Sequence, residues 1–502
     1  MAKQSRVKGV AISYITTIVR TLSKLLLTPL YLKVLGLDEY GFYEYVFSVA
    51  CYATILDFGI SSVVNTFAIS KREKGDQDGV ENVMFYALMF SIGAALVIAI
   101  TGAAISVFAP AVFGVKIAGR VGLTRKLLFF IVAELVLLMF QHYFEGHILS
   151  EEKYVTLRAV ALVQIVLRCL ITVLLLYSNI GVMSIALGDL LGVALCLLYE
   201  ILYCKRKLNL KIKYHYRDRE LLRGISKLAF ALCLQSVVSY LNSSIDKYVL
   251  GRLISNAVVS IYTVAMTFST FFDEIPTAIQ RLYLPQVVKL VASGADGEEL
   301  TDLVIKPGRY QMMLVGGILG GFILFGKQFI ILWTGEDTVM AWAIALFLMI
   351  PSVLPLVQNV CISILTAMNK RMFRSYVLCG IALVNLVLTI ILVKKIGVLG
   401  APIATCIGLI LGNNIAMNIY YKREIHINVK RLFSEVLRGI LPCAIIATAV
   451  CALLLYVKSS GIIWFLSECI IFCIIYGALL WFVGMNESEK KRVSGFIKAK
   501  LH

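Results

Sequence analysis

The chain has 502 residues, of which 60% are hydrophobic and 16% charged, with a net charge of +18 and a mean hydropathy of +0.86. Soluble domains carry about 25% charged residues, so this composition excludes a water-soluble protein and indicates an integral membrane protein. Lys and Arg gather in the cytoplasmic loops of helical membrane proteins; no aromatic platform or zinc knuckle stands beside the basic clusters, so no nucleic-acid partner is expected.

Apolar runs long enough to cross a bilayer, about 20 residues each, are predicted near 10–33, 42–69, 83–109, 125–148, 156–177, 180–203, 224–250, 256–283, 308–333, 338–368, 373–393, 397–421, 436–457 and 461–484. The first carries Arg20 and Lys24 and has no short apolar core followed by a small-residue cleavage site, so it is expected to remain as a transmembrane helix. Fourteen helices place both termini on one side. The segment after the sixth helix, with Lys205, Arg206, Lys207, Lys211, Lys213, Arg217, Arg219 and Arg223, votes most strongly that this side is cytoplasmic. One loop dissents: Lys116, Arg120, Arg125 and Lys126 fall between the third and fourth helices, on the side expected to face outward.

An internal repeat recurs at an offset of about 216. Ile180 to Met183 align with Ile396 to Leu399, Lys8-Gly9 with Arg223-Gly224, Leu35-Gly36 with Leu250-Gly251, and Gly41 to Tyr43 with Ser260 to Tyr262. The predicted organisation is an N-terminal lobe of helices 1 to 6 (1–204), a basic cytoplasmic linker (205–223), a C-terminal lobe of helices 7 to 12 (224–423), and helices 13 and 14 with a cytoplasmic tail (424–502). An even helix count per lobe makes the lobes a parallel pseudo-two-fold pair.

Ionisable residues inside spans are costly and usually face a bundle interior or a wet cavity. Arg20 and Lys24 continue a polar line from Ser13 and Thr17 along helix 1, and Asp57, Ser61 and Asn65 run down helix 2. Helix 4 carries Glu134, Gln141 and Glu145, helix 5 Gln164, Arg168 and Thr172, and helix 7 Gln235, Ser239, Asn242 and Asp246 beside Lys247. Each set repeats every three or four residues, the spacing of one helix face. The economical reading is a polar, partly cationic cavity for an anionic substrate, with Arg20, Lys24, Arg168, Lys247, Asn65, Gln235 and Asn242 as substrate-binding candidates. Asp57 and Asp246 are candidates for ion coupling, to sodium or protons. The competing reading pairs Arg20, Lys24 and Arg168 with Asp57, Glu134 or Asp189 as packing devices, and lets Lys247 reach the headgroups.

Pro351 and Pro355 are expected to break helix 10, while Gly316, Gly317, Gly320 and Gly321 allow close packing or loosen helix 9. The twelve Cys form no CxxC pair and read as small buried hydrophobes. His142 and His147 flank Glu145 without a metalloprotease or nucleophile-elbow motif. No catalytic residue, metal site or cofactor is expected. The longest outward loop, about Pro110 to Thr124, is also short for a membrane glycosyltransferase or polymerase.

Asn242 to Gly251, followed by Ile261-Tyr262, Ala265 and Leu284-Pro285, resembles the middle of the Wzx-like polysaccharide biosynthesis flippases. These belong to the oligosaccharide flippase family of the multidrug/oligosaccharidyl-lipid/polysaccharide exporter superfamily. Leu35-Gly36, Tyr40-Gly41, Leu56 to Gly59 and Gly397 to Thr405 are similar to its other recurring segments, with Pro402 replacing a frequent Ala. The resemblance covers most of the chain through about Arg423. It implies two lobes that alternate between inward-open and outward-open states, in a multi-pass bacterial cytoplasmic membrane protein. The implied cargo is an undecaprenyl-pyrophosphate-linked oligosaccharide, with membrane lipids and polysaccharide polymerases as neighbours. A drug antiporter of the same superfamily and a lipid II flippase stay open as alternatives.

Overall fold

Backbone N–H and C=O groups in hydrocarbon have no water to bond, so a spanning chain must satisfy them internally, as helix or closed barrel. The computed structural model describes residues 2–52, 59–370, 372–454 and 461–501, and these hold helices and no strand. In chain order the α-helices are α1 (Ala2–Ala50), α2 (Ile60–Glu73), α3 (Gln77–Val107), α4 (Ala109–Phe113), α5 (Val121–Ser150), α6 (Tyr154–Tyr177), α7 (Met183–Arg206), α8 (Arg219–Leu253) and α9 (Asn256–Ala292). They continue with α10 (Gly297–Thr334), α11 (Met340–Val357), α12 (Val360–Ala367), α13 (Met372–Ile396), α14 (Gly400–Leu409), α15 (Met417–Glu424), α16 (Val429–Leu437), α17 (Ile440–Leu454), α18 (Ile462–Leu479) and α19 (Glu487–Leu501). The protein is an all-α, multi-pass membrane protein.

Among the described residues, ten helical stretches are long and apolar enough to cross a membrane. The fourteen predicted spans reduce to these ten for two reasons. Those near 10–33, 42–69 and 224–250 include positions that lie outside the described residues, and the pair 373–393 and 397–421 forms one stretch, Met372–Glu424. The predicted second span is a correction, because 42–69 is not one helix. α1 ends at Ala50, and α2 starts after Gly59 in the left-handed region (φ 57°). A second left-handed glycine, Gly36 (φ 80°), breaks α1 where the first span was expected to stop.

The chain divides into two compact units, residues 1–260 and 261–502. The boundary drawn from sequence at 205–223 differs by one helix, α8, which packs on α1 and α2. Within the first unit, the Lys247 ammonium lies 2.7 Å from the Glu44 carboxylate of α1, and Tyr248 stacks on Tyr45 at 6.1 Å. The Tyr248 hydroxyl donates to the Val112 carbonyl at 3.0 Å. Gly41 permits the approach of α1 to the start of α9, since a Cβ there would lie 1.8 Å from the Asn256 carbonyl oxygen. The dissenting basic loop is absorbed in the same unit: Arg120 bonds Asp38 at 2.9 Å and Glu39 at 3.1 Å, and the Lys116 side chain lies outside the described residues.

The second unit is built around α10, which packs on α11, α16, α17 and α18. Its glycines serve close packing. The Tyr476 ring lies against Gly317 and the Phe472 ring against Gly320, and the Tyr476 hydroxyl donates to the Met313 carbonyl at 2.7 Å. Pro355 lacks the N–H that would bond Pro351 four residues earlier, and the helix parts after Val357. Asn414, in a π-helical turn over Ile410–Ala416, donates its amide to the freed Pro351 carbonyl at 3.0 Å.

At the base of α10 the buried Arg309 guanidinium donates to Glu489 of α19 (2.7 and 3.1 Å), to the Gly484 carbonyl (2.8 Å) and to the Glu435 carbonyl (2.7 Å). Arg309 and Glu489 are 6% exposed each, so the pair is dry and fully hydrogen-bonded. Removing one partner of such a pair costs about 3–5 kcal/mol, because the other charge stays buried. Arg309→Ala is expected to lower the melting temperature in detergent by several degrees and to expose α19 to trypsin, whereas substituting the exposed neighbour Lys306 leaves both unchanged.

Candidate anion-binding face

The candidate site lies in the first unit, where α1, α5, α6 and α7 pack together. α6 and α7 approach closely because α7 presents Gly188 and Gly192 to α6: a Cβ on Gly188 would strike the Thr172 hydroxyl, and one on Gly192 would rest in ordinary contact with Arg168. Small residues four apart let backbones meet in this way, and the approach seats Asp189 beside Arg168. The two form an ion pair, and the Tyr43 hydroxyl of α1 donates to the second Asp189 oxygen at 3.2 Å. The carboxylate is 6% exposed and the guanidinium side chain 47%. Asp189 therefore anchors the Arg168 head from beneath while its outer edge stays open.

α1 supplies the other two cations. Thr16 reaches the Arg158 carbonyl of α6 at 3.5 Å, and Ser23 lies against Cys169. This register sets the Arg20–Lys24 turn at the level of Arg168. Both α1 cations are exposed. The structure thus brings Arg20, Lys24 and Arg168 to one pair of packed helices, and it also gives Arg168 the Asp189 partner of the competing packing reading.

A second polar group lies between α5, α6 and α7. Gln141 donates to Gln164 at 2.9 Å and to the fully buried Glu200 carboxylate at 3.4 Å. The other Glu200 oxygen, one Glu134 oxygen and the Asn65 carbonyl oxygen are buried without a hydrogen-bond partner among the described residues. His147 is buried in α5 with neither ring nitrogen hydrogen-bonded.

The remaining candidates scatter. Lys247 is spent on Glu44, both side chains being less than one-fifth exposed, and Asp246 is buried in α8. Asp57 lies outside the described residues, as do the side chains of Gln235 and Asn242. Sequence reasoning missed Glu44, Tyr43 and Glu200. Glu200 could have been found as an ionisable residue inside the sixth predicted span, whereas nothing in the sequence ties Glu44 to Lys247. Tyr43 carries no signal of its own.

Residues 6–291 match the family model described as "Polysaccharide biosynthesis protein". The chain belongs to that family. Over 264 residues it is 24% identical to the "Probable flippase AglR" of Haloferax volcanii, a match that covers 50% of this chain and 52% of that protein. The chain thus spans about half the length of that curated relative. Among solved structures, "Lipid II flippase MurJ, inward closed conformation" superposes with a TM-score of 0.74 at 17% identity, covering 94% of this chain and 98% of that one. An inward-facing multidrug resistance MATE transporter of the MOP superfamily gives 0.70 at 15% identity, over 82% and 98%. At these identities the likeness is one of fold, and it confirms the architecture that the sequence resemblance implied.

If Asp189 anchors Arg168, the two residues are coupled. A double-mutant cycle of Asp189→Asn and Arg168→Gln, read as melting temperature in detergent, should show an interaction of about 1–3 kcal/mol. Additive effects would mean that the pair contributes nothing to stability.

Proposed function

We propose that this family member is a flippase that moves an undecaprenyl-pyrophosphate-linked oligosaccharide from the cytoplasmic to the outer leaflet of a bacterial cytoplasmic membrane, for cell-surface polysaccharide biosynthesis. The observation that carries this reading is the cationic face of α1 and α6, with Arg20 and Lys24 exposed and Arg168 held by Asp189 with its outer edge open. A pyrophosphate needs fixed positive charge, and a guanidinium held from behind is pre-set for two-point phosphate contact. The polar Asn65 side chain, half-buried in α2, suits a sugar hydroxyl. The family and the flippase named among its relatives support the same reading.

In this proposal two six-helix lobes, related by the parallel repeat, alternate access, and both termini are cytoplasmic. Sodium or proton coupling would use Asp57 or Asp246. The protein acts as a transporter without chemistry on its cargo, and a polysaccharide polymerase consumes the product. A lipid II flippase would use the same cations and is the second reading, favoured by the fold shared with the lipid II flippase structure. Export of cationic drugs is disfavoured by three cations carried on the packed helices α1 and α6.

The test is translocation of fluorescent undecaprenyl-pyrophosphate-oligosaccharide in sealed proteoliposomes. Wild type is expected to move the lipid, and Arg20→Ala and Lys24→Ala to slow it by tenfold or more while keeping the wild-type melting temperature; Arg168→Ala should slow it equally and, by leaving the buried Asp189 unpaired, also lower the melting temperature. Equal rates in the variants would make the cations structural. Movement of lipid II in preference to other glycans would select the second reading, and drug efflux without lipid movement would replace both.

A further inference from the structure

The segment between α7 and α8 is fastened to the first unit at a constellation that the proposed transport does not use. α3 opens with Asp78 and, one helical turn later, Glu81, and residues 207–218 bring His215 between them. The His215 Nε2 lies 2.8 Å from a Glu81 carboxylate oxygen and its Nδ1 lies 3.8 Å from an Asp78 oxygen. One donor atom from each residue falls within 4.8 Å of the other two. Flanking contacts hold the imidazole in place. Asn82 donates to the Tyr216 carbonyl at 3.0 Å and accepts from the His215 backbone N–H at 3.5 Å. Tyr214 packs on Phe85 and Tyr86 with ring centroids 5.3 and 6.3 Å away. Beyond them, Lys71 bonds Asp218, the N-cap of α8, at 3.3 Å.

We propose that Asp78, Glu81 and His215 form a divalent transition-metal site that clasps the α7–α8 segment to α3. Three arguments converge on a metal. Two carboxylates 134 residues or more from His215 in sequence flank one imidazole, one at each ring nitrogen, and in its neutral form the ring has a single N–H and can satisfy only one of them. Glu81 is 7% exposed, and a buried carboxylate needs a compensating charge; a divalent ion supplies it for both acids at once. The donor set of one nitrogen and two carboxylate oxygens suits zinc, cobalt or nickel, whereas calcium and magnesium prefer all-oxygen sites. Metal–ligand distances of about 2.0–2.2 Å place donors roughly 3.0–3.4 Å apart, so the Glu81 oxygen and His215 Nε2 need to part by a few tenths of an ångström from 2.8 Å, and the Asp78 oxygen has to swing in toward the same nitrogen. Asp78, whose side chain is 70% exposed, is free to make that move by changing rotamer. Water would complete the coordination.

The experiment uses the full chain in detergent, stripped with EDTA and titrated with Co²⁺ while the visible d–d absorption is followed, then back-titrated with Zn²⁺. Wild type is expected to bind one equivalent, and His215→Ala and Glu81→Gln to lose the signal, while His426→Ala keeps it. Trypsin cleavage after the exposed Lys211 and Lys213 gives a second readout: Zn²⁺ should slow it at least tenfold in wild type and not in His215→Asn, which keeps a side-chain amide to bond Glu81. Absence of Co²⁺ binding below about 1 mM, or equal binding by His215→Ala, would overturn the site. So would a segment that is protected only by lowering the pH and is indifferent to Zn²⁺, since the clasp would then be a proton.

Discussion

The demand that every backbone polar group find a partner inside the protein governs this structure more than any side-chain preference. Where the helices run unbroken, the demand is met locally. Where they break, it has to be met by something else, and those places carry the unusual residues. Pro355 withholds a donor, and the chain answers with Asn414, turned toward Pro351 by a π-helical turn that an ideal α-helix would not make. Single inserted residues of this kind let one side chain rotate out of register without unwinding the helix. Gly36 and Gly59 solve a different problem, because a left-handed residue reorients the chain between two helices in a single step.

Charge inside the spans follows a related rule, since an ion taken from water must be compensated. In the second unit Arg309 is fully compensated: it meets a carboxylate and backbone carbonyls at the point where α10, α16 and α19 converge. The first unit compensates unevenly. Lys247 and Glu44 neutralise each other, while Arg168 is paired from one side and open on the other. That contrast separates a cation compensated on every side from one left open on one side, and both kinds look alike in sequence.

This explains what sequence could and could not disclose. Helical membrane architecture follows from composition, and the positions of most helices follow from hydropathy, because both are local properties. The left-handed Gly59 ahead of α2 was hidden, since the apolar run continues across it and a backbone angle leaves no mark on hydropathy. Arg20, Lys24 and Arg168 were legible as cations on polar faces. The partner of Arg168 was readable only as one acid among three, and the choice of Asp189 depends on Gly188 and Gly192 letting α7 close on α6. The fate of Lys247 was likewise unreadable, because Glu44 lies 203 positions away and reaches it only through the packing of α8 on α1.

On the proposed transport reading, the Arg168–Asp189 pair also addresses release. A pyrophosphate held by three bare cations in a poorly hydrated site would bind too tightly to leave, since each charge pair strengthens as the dielectric falls. Asp189 already offsets the charge of Arg168, which lowers the total attraction for an anion. It also keeps the guanidinium oriented, which preserves geometric selection for phosphate while lowering the depth of the well. A carrier that must bind on one side and discharge on the other gains more from this tempered attraction than from the strongest one available.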